Sequence, residues 1–315
     1  MQKLRVCFIG IGSIARRHIK NLIELCEEAQ VQLRIDAYRH SVSGGNIEGI
    51  THVYHNPSEM PNDYDIVFIT NPTKLHLSAL EMFHDKGIHF FIEKPVVSIE
   101  QIEAARNFPL KRSSIYYVAC PLRYNSVIRY IKENINTEEV ISVRSISSSY
   151  LPDWRIGQDY RQTYSAQKKL GGGVDIDLIH EWDYLSYLFG TPRKMHSFIG
   201  KKSELEIDSN DYAIYIAEFE KMIAELHLDY FGRKTIREIQ LFTNNDTIIG
   251  DLVNSKILFL KSGKIVEFHE QRDDFQKREL EYFLNLIYMK NVNENGYVHG
   301  LEVLELTQGK IFYND

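Results

Sequence analysis

The stretch Leu4-Arg5-Val6-Cys7-Phe8-Ile9-Gly10-Ile11-Gly12-Ser13-Ile14-Ala15-Arg16-Arg17-His18 decides the fold. A short apolar run rich in β-forming residues breaks at a glycine pair. It passes directly into helical spacing, with Ile14, Ile19, Leu22, Ile23 and Cys26 on one face. A strand, a tight turn and a helix in that order open a dinucleotide-binding unit. Gly10 lets the chain turn sharply, and Gly12 leaves room for a pyrophosphate to approach the main chain. The helix opening at Ser13 and Ile14 presents unpaired N–H groups and the positive end of its dipole to the phosphates. Ala15 stands where a third glycine often stands and is still small enough for close helix–strand packing.

Working outward, a second strand runs from Gln32 to Tyr38 and ends at Arg39-His40-Ser41 before a glycine-bearing loop. An acid at this strand end would accept hydrogen bonds from the adenosine ribose, whereas an arginine accommodates a 2'-phosphate. Asp36 lies within the strand and Arg39 at its end, so NADP is expected, with Arg39 as the phosphate contact and NAD as the alternative. Asp65-Ile-Val-Phe-Ile-Thr70 is the next strand, running into Asn71-Pro72-Thr73-Lys74-Leu75-His76 and a helix from Leu77 to Lys86. Residues just past the carboxyl ends of parallel strands line the ligand crevice, which places Thr70, Asn71 and Pro72 against the cofactor. His76 either faces the cofactor as well or is a surface group. The strand His89–Ile92 is followed by Glu93-Lys94-Pro95. The lysine falls beside the nicotinamide, where a cation can hydrogen-bond a substrate hydroxyl; Glu93 can accept from a ribose, and Pro95 fixes the turn.

The chain has 315 residues, enough for two domains, and an ordinary globular composition. Its 43 acids against 37 bases give a net charge of -6, which argues against a general nucleic-acid binder. Cys7, Cys26 and Cys120 are far apart and flanked by apolar residues, as buried reduced thiols would be. No signal segment or membrane span is expected, so the protein reads as cytoplasmic.

The Gly10-Ile-Gly12-Ser13-Ile-Ala15 turn, Thr70-Asn-Pro72 with His76, Glu93-Lys94-Pro95 and a later Gly171-Gly172-Gly173 stand in order along the chain. In that order and at about those spacings they resemble the glucose-fructose oxidoreductase, inositol dehydrogenase and MocA (Gfo/Idh/MocA) family. The similarity covers nearly the whole chain, more loosely in its last third. In that family the helix after the glycine run supplies an aspartate and a histidine next to the lysine of the first domain. Counted from Gly173, Asp177 takes the aspartate place, and His180 follows after three residues where many members have four.

The first domain, a Rossmann unit with a mostly parallel sheet, is expected over 1–122. An α+β domain with a large, mainly antiparallel sheet is expected over 123–315. The boundary falls near Pro121-Leu122-Arg123-Tyr124-Asn125, where a new helical pattern begins. A strand from Val140 to Ser149 leads into Tyr150-Leu-Pro-Asp-Trp154-Arg155-Ile-Gly-Gln-Asp159-Tyr160-Arg161. Rings, arginines and carboxamides at this density suit a sugar, a diphosphate or a carboxylate, or else an ordered surface loop. Arg123, Trp154, Tyr160, Arg161 and His180 are therefore the substrate candidates. Past the glycines, one helix is expected to stop near Gly190, with positions 177, 180 and 184 on one face. Asp177, His180 and Asp183 have no cysteine or second histidine to complete a ligand set, so no metal site is expected. From Ala213 onward come strands at Ala213–Glu218, Met222–Asp229, Arg237–Thr243, Asp246–Leu252 and Lys256–Leu260. Helices at Asp274–Met289 and Gly300–Phe312 close the chain.

These features predict an NAD(P)-dependent dehydrogenase or reductase acting on a sugar, sugar derivative or nucleotide-sugar, with Lys94, His180 and Asp177 catalytic. The alternative is a non-catalytic nucleotide-binding sensor of the same fold. The open face of the second sheet predicts a homo-oligomer, a dimer or tetramer.

Overall fold

A computed structural model of the protein describes residues 3–40, 47–289 and 292–311. The glycine-bearing loop predicted after His40 and the residue Phe312 lie outside that range. The chain divides into two compact units, Met1–Cys120 with Arg272–Leu301, and Pro121–Gln271 with Glu302–Asp315.

In the first unit β1 (Lys3–Ile9), β2 (Gln32–Tyr38), β3 (His52–Tyr54), β4 (Tyr64–Ile69), β5 (Gly87–Ile92) and β6 (Tyr116–Val118) pair in the order β3-β2-β1-β4-β5-β6. Every pairing is parallel. Parallel strands covered on both faces read as continuous apolar runs, and Val6, Cys7 and Phe8 are indeed all fully buried. Helix α1 (Ser13–Glu28) buries Ala15, His18, Ile19, Leu22 and Cys26; α2 (His76–Phe83) and α3 (Ile102–Arg106) follow later. The strand order reverses between β1 and β4, so the crevice for a ligand opens at their carboxyl ends.

The segment Arg272–Leu301, expected in the second domain, belongs to the first unit. Leu280, Phe283 and Leu286 of the helix Asp274–Met289 share one core with Phe8, Phe68, Phe91 and Tyr117. Buried Glu279 accepts from the amide of Cys120 at 2.6 Å and from the Tyr117 hydroxyl at 3.2 Å. A helix this amphipathic docks wherever an apolar face is left bare, and sequence order does not say which sheet that is.

In the second unit, helix α4 (Ser126–Asn134) precedes the long strand β7 (Val140–Tyr150). The other strands are β8 (Lys194–Gly200), β9 (Tyr212–Glu218), β10 (Ile223–Asp229), β11 (Phe231–Thr243), β12 (Thr247–Asp251), β13 (Lys256–Phe259) and β14 (Ile265–Glu267). They form an eight-stranded sheet in the order β14-β13-β12-β11-β7-β10-β9-β8, antiparallel except between β7 and β10. β8 escapes sequence reading because its partly exposed Lys-Met-His-Ser-Phe-Ile-Gly run lacks a clean apolar alternation. Between Phe231 and Ile236 the register with β7 shifts, and the intervening residues bulge out.

Candidate active site

The glycine turn after β1 fits a dinucleotide. Gly10 has φ +85°, and a Cβ there would lie 2.7 Å from the Asn71 Cα, so only glycine lets the turns after β1 and β4 pack together. Thr70 tightens the same junction, its hydroxyl donating to the Gly10 carbonyl at 2.8 Å and the Ile9 carbonyl at 3.1 Å. Gly12 differs, since a Cβ there would meet nothing within 4 Å. Gly12 is also the N-cap of α1 and offers that helix no side-chain cap. The first-turn amides at Ser13 and Ile14 thus lack a side-chain cap and stand at the positive end of a sixteen-residue helix, the arrangement a pyrophosphate requires.

Asp36 is buried inside β2, close to Arg5 and Arg34 and accepting from the Tyr64 hydroxyl at 3.1 Å. It is committed to the interior of the unit. Arg39 follows the strand, its amide donating to the Tyr54 carbonyl at 3.1 Å.

At the end of β5 the Lys94–Pro95 peptide is cis. His76 is neither a surface group nor turned to the crevice through a free ring nitrogen. It is buried, with Nδ1 3.0 Å from the Pro95 carbonyl and Nε2 2.8 Å from the Asn71 carbonyl. Burial pushes its pKa below the usual histidine value, so a neutral ring donates to one of these carbonyls at a time. Its work is to tie the turn after β4 to the turn after β5. Glu93 meets a partner that sequence reasoning missed, His18 of α1, whose Nε2 lies 2.5 Å from Glu93 Oε1. Burial alone would raise the Glu93 carboxyl; the His18 hydrogen bond and the proximity of Lys94 and His76 outweigh it and hold the group below the ordinary range. The helix carrying His18 is legible in sequence, but the partner of this side chain lies 75 residues away.

In the second unit the expected single helix is two, α5 (Val174–Asp177) and α6 (His180–Phe189), broken where Leu178 adopts φ −97°, ψ 31°. The predicted common face of 177, 180 and 184 is lost with that break. Tyr184 is fully buried, its hydroxyl 2.5 Å from that of Ser145. Buried Glu181 accepts from Arg237 Nε at 2.6 Å, which anchors the first turn of α6 to β11. Asp177 and His180 stay partly exposed at the break. Asp177 Oδ2 accepts from the hydroxyl of buried Tyr230 at 2.5 Å. Burial and the nearby Asp177 charge push that phenol well above its usual pKa, keeping it a donor. Tyr230 follows directly after the strand Ile223–Asp229, where its hydroxyl carries no sequence signal.

The substrate candidates separate. Arg123 is 4% exposed and gives Nε and Nη2 to Asp183 at 2.8 and 2.7 Å, its guanidinium 4.8 Å from the Tyr187 ring centroid. It braces α6 from inside and is removed from the substrate set; Asp183 is its counter-ion. Arg161 forks onto Asp159 and reaches Glu206 at 3.0 Å, and the Tyr160 hydroxyl accepts from the Glu206 amide at 3.1 Å. These two pin their own loop. Trp154, 39% exposed, stands edge-on to Tyr230 with centroids 5.2 Å apart, and its Nε1 donates to Ser149 Oγ at 2.9 Å. Through the Tyr230 ring it is linked to Asp177.

A family model described as the oxidoreductase family with an NAD-binding Rossmann fold matches residues 4–119, and the C-terminal domain model of the same family matches 128–248. The chain is thus an NAD(P)-dependent oxidoreductase. It belongs to the Gfo/Idh/MocA family. Among solved structures, levoglucosan dehydrogenase in complex with NADH is 16% identical with a TM-score of 0.82, over 98% of this chain and 96% of that one. UDP-N-acetylglucosamine 3-dehydrogenase from Acidithiobacillus ferrooxidans is 18% identical with a TM-score of 0.76, over 98% and 96%. An Agrobacterium radiobacter oxidoreductase in complex with NAD+, L-tartaric acid and magnesium is 15% identical with a TM-score of 0.80, over 97% and 94%. At such identities the likeness establishes the fold. No curated protein matches the sequence significantly. Among the described residues no helix is long and apolar enough to cross a membrane.

Proposed function

We propose that the protein moves a hydride between a nicotinamide nucleotide and a secondary alcohol or ketone of a sugar, sugar derivative or nucleotide-sugar. The observation that carries this reading is the uncapped, unobstructed Gly12 turn at the β1–β4 crevice. Its family membership and the sugar dehydrogenases that share the fold support it. When bound, the nicotinamide supplies the hydride acceptor or donor. The amides at Ser13 and Ile14 bind the pyrophosphate, and Glu93 holds a ribose hydroxyl. Lys94 donates a hydrogen bond to the reacting oxygen and stabilises the charge that develops there. His180 takes the hydroxyl proton in oxidation and returns it in reduction, work that suits an imidazole, whose reference pKa as a side-chain type is about 6.5. Asp177, held by Tyr230, orients that pair, and Trp154 offers the sugar a ring face.

For the nucleotide we propose NADP, with Arg39 on the 2'-phosphate, because the only acid of β2 is buried and engaged. The NADH and NAD+ bound in the structural relatives make NAD the competing outcome. The two are separated by comparing kcat/KM for NADPH and NADH before and after Arg39→Ala. We further propose a homo-oligomer formed through the open face of the second sheet, which exposes Phe198, Ile216 and Ile223 beside the cross-strand pair Arg144–Glu225. Sedimentation showing only monomer at micromolar concentration removes it. The decisive test is a panel of sugars and nucleotide-sugars followed at the nicotinamide absorbance band. Turnover supports the dehydrogenase, whereas tight nucleotide binding with no turnover on any member replaces it with a sensor.

A further inference from the structure

We propose that His18 is a positioning residue, which through one hydrogen bond holds the Glu93 carboxylate in the orientation that fixes the main chain carrying Lys94. The geometry is a short relay inside the first unit. His18 Nε2 lies 2.5 Å from Glu93 Oε1, and Glu93 Oε2 accepts from the Lys94 amide at 3.3 Å. One carboxylate thus spans from a side chain of α1 to the peptide that begins the catalytic lysine.

His18 is 1% exposed, and its Nδ1 has no hydrogen-bond partner among the described residues. A buried N–H without an acceptor costs more than a bare lone pair, so a neutral ring carries its proton on Nε2 and gives it to Glu93. The rest of the ring faces carbon, edge-on to Phe91 at 5.0 Å and tilted against Phe68 at 6.3 Å. A donor walled in by aromatic rings has no solvent to compete for its proton, which strengthens its bond to Glu93, a side chain that itself keeps 13% exposure. Among the described residues, the charged and titratable groups acting on Glu93 are His18 from α1, His76 from α2 and Lys94 from its own turn. His76 fixes the far side of the turn at the Pro95 carbonyl, so the two histidines hold the lysine's main chain at both ends.

An apolar core residue would fill the His18 site without a bare ring nitrogen. The extra cost is explained if the donor serves the turn above it. Only the kinetic arm of the test rests on the proposed hydride transfer.

Three variants separate the possibilities. His18→Gln keeps a donor near the place of Nε2, His18→Leu keeps the bulk without the donor, and Glu93→Gln removes the charge. In nucleotide-free protein, a carbon-13 titration of the Glu93 carboxyl is expected to fall below the ordinary glutamate range in wild type and His18→Gln, and above it in His18→Leu. An ordinary Glu93 titration in wild type overturns the proposal whether or not the variants fold, and so does an unmoved one in His18→Leu. In turnover, His18→Leu is expected to lower kcat by up to about 100-fold, with KM changing much less, because a small misplacement of a reacting group carries losses of that order. His18→Gln recovers most of it. Placed on Glu93→Gln, His18→Leu adds little. Losses that simply multiply would mean that His18 does not act through Glu93, and the proposal falls. If no sugar is turned over by any form, the hydride-transfer reading fails while the carboxyl titration still decides this one.

Discussion

Two glycine-rich turns look alike in sequence and do opposite things. Around Gly10 and Gly12 the missing side chains make room twice, first for the neighbouring turn at Asn71 and then at Gly12, where no described residue lies within 4 Å of the missing Cβ. Around Gly172 and Gly173 the room is taken by the protein. Gly171 ends a helical turn at φ +87°; a Cβ on Gly172 would fall 2.1 Å from the Tyr164 carbonyl oxygen, and one on Gly173 would fall 2.7 Å from Asp175 Oδ1. Glycine marks a close approach in both places, and only the neighbours tell whether the approaching body is a ligand or the chain.

The sharpest division between the two regions is kinetic. If the first turn binds and the segment after the second does chemistry, His180→Ala leaves nucleotide affinity intact and cuts kcat by about 10² to 10⁴-fold, the usual worth of a general acid–base. Fluorescence titration of the nucleotide beside steady-state turnover checks both halves. Unchanged kcat would return the proton to another group.

The polar side chains of the second unit are spent largely on one another, which makes stability the next observable. Asp183→Ala removes the buried carboxylate that takes Nε and Nη2 of Arg123, so it should cost about 3 to 5 kcal/mol in urea unfolding. A loss below about 1 kcal/mol would return Arg123 to the substrate candidates.

The glycines themselves allow a paired test. Gly172→Ala drives a methyl into a carbonyl oxygen and should cost about 1 to 3 kcal/mol of stability as overpacking does. Gly12→Ala finds open space and ordinary backbone angles, so the melting temperature should hold while nucleotide Kd rises roughly tenfold, about 1.4 kcal/mol. A destabilised Gly12→Ala with normal nucleotide affinity would erase the distinction between the two turns.

What could be read in advance follows from how far each signal reaches. The β1–turn–α1 unit is local, with apolar run, glycines and helical face all within 26 residues, and each element falls where expected. Glu93-Lys94-Pro95 was visible as a motif, but its two supports were not, because His18 and His76 come from other helices and a histidine's partners are set by packing. Arg123 and Arg161 looked like substrate groups because charge and rings are the composition of a binding loop, and equally that of a loop that ties itself down. The break at Leu178 escaped because Asp177, His180 and Tyr184 do fit a helical face in sequence; the anchoring of Glu181 by Arg237 and of Tyr184 by Ser145 sets α6 apart from α5. The fold was carried by near neighbours, while much of the site is held by distant ones.

A third glycine tests how complete the contrast is. In the bulge of β11, the amides of Phe231 and Gly232 donate to Asp229 Oδ1 at 3.0 and 2.8 Å, and Ser148 Oγ joins them at 2.9 Å. An anion held by consecutive main-chain amides is what we propose for a phosphate at the Gly12 turn, except that here the anion is the chain's own carboxylate. Burial works against its ionisation, yet the donors around it, His227 among them, hold its pKa below the ordinary aspartate value. A depressed folded value means that the stabilisation is fully present above about pH 3.9 and is lost as pH falls through the folded value. Asp229→Asn should therefore lower stability by about 1 kcal/mol at pH 7, the worth of a charge-assisted over a neutral hydrogen bond, and the gap from wild type should close in acid. Unfolding curves at pH 7 and pH 3 check it. A gap that persists undiminished at the lower pH would show that shape, not charge, fills this turn, and the likeness between a carboxylate here and a phosphate at Gly12 would fail.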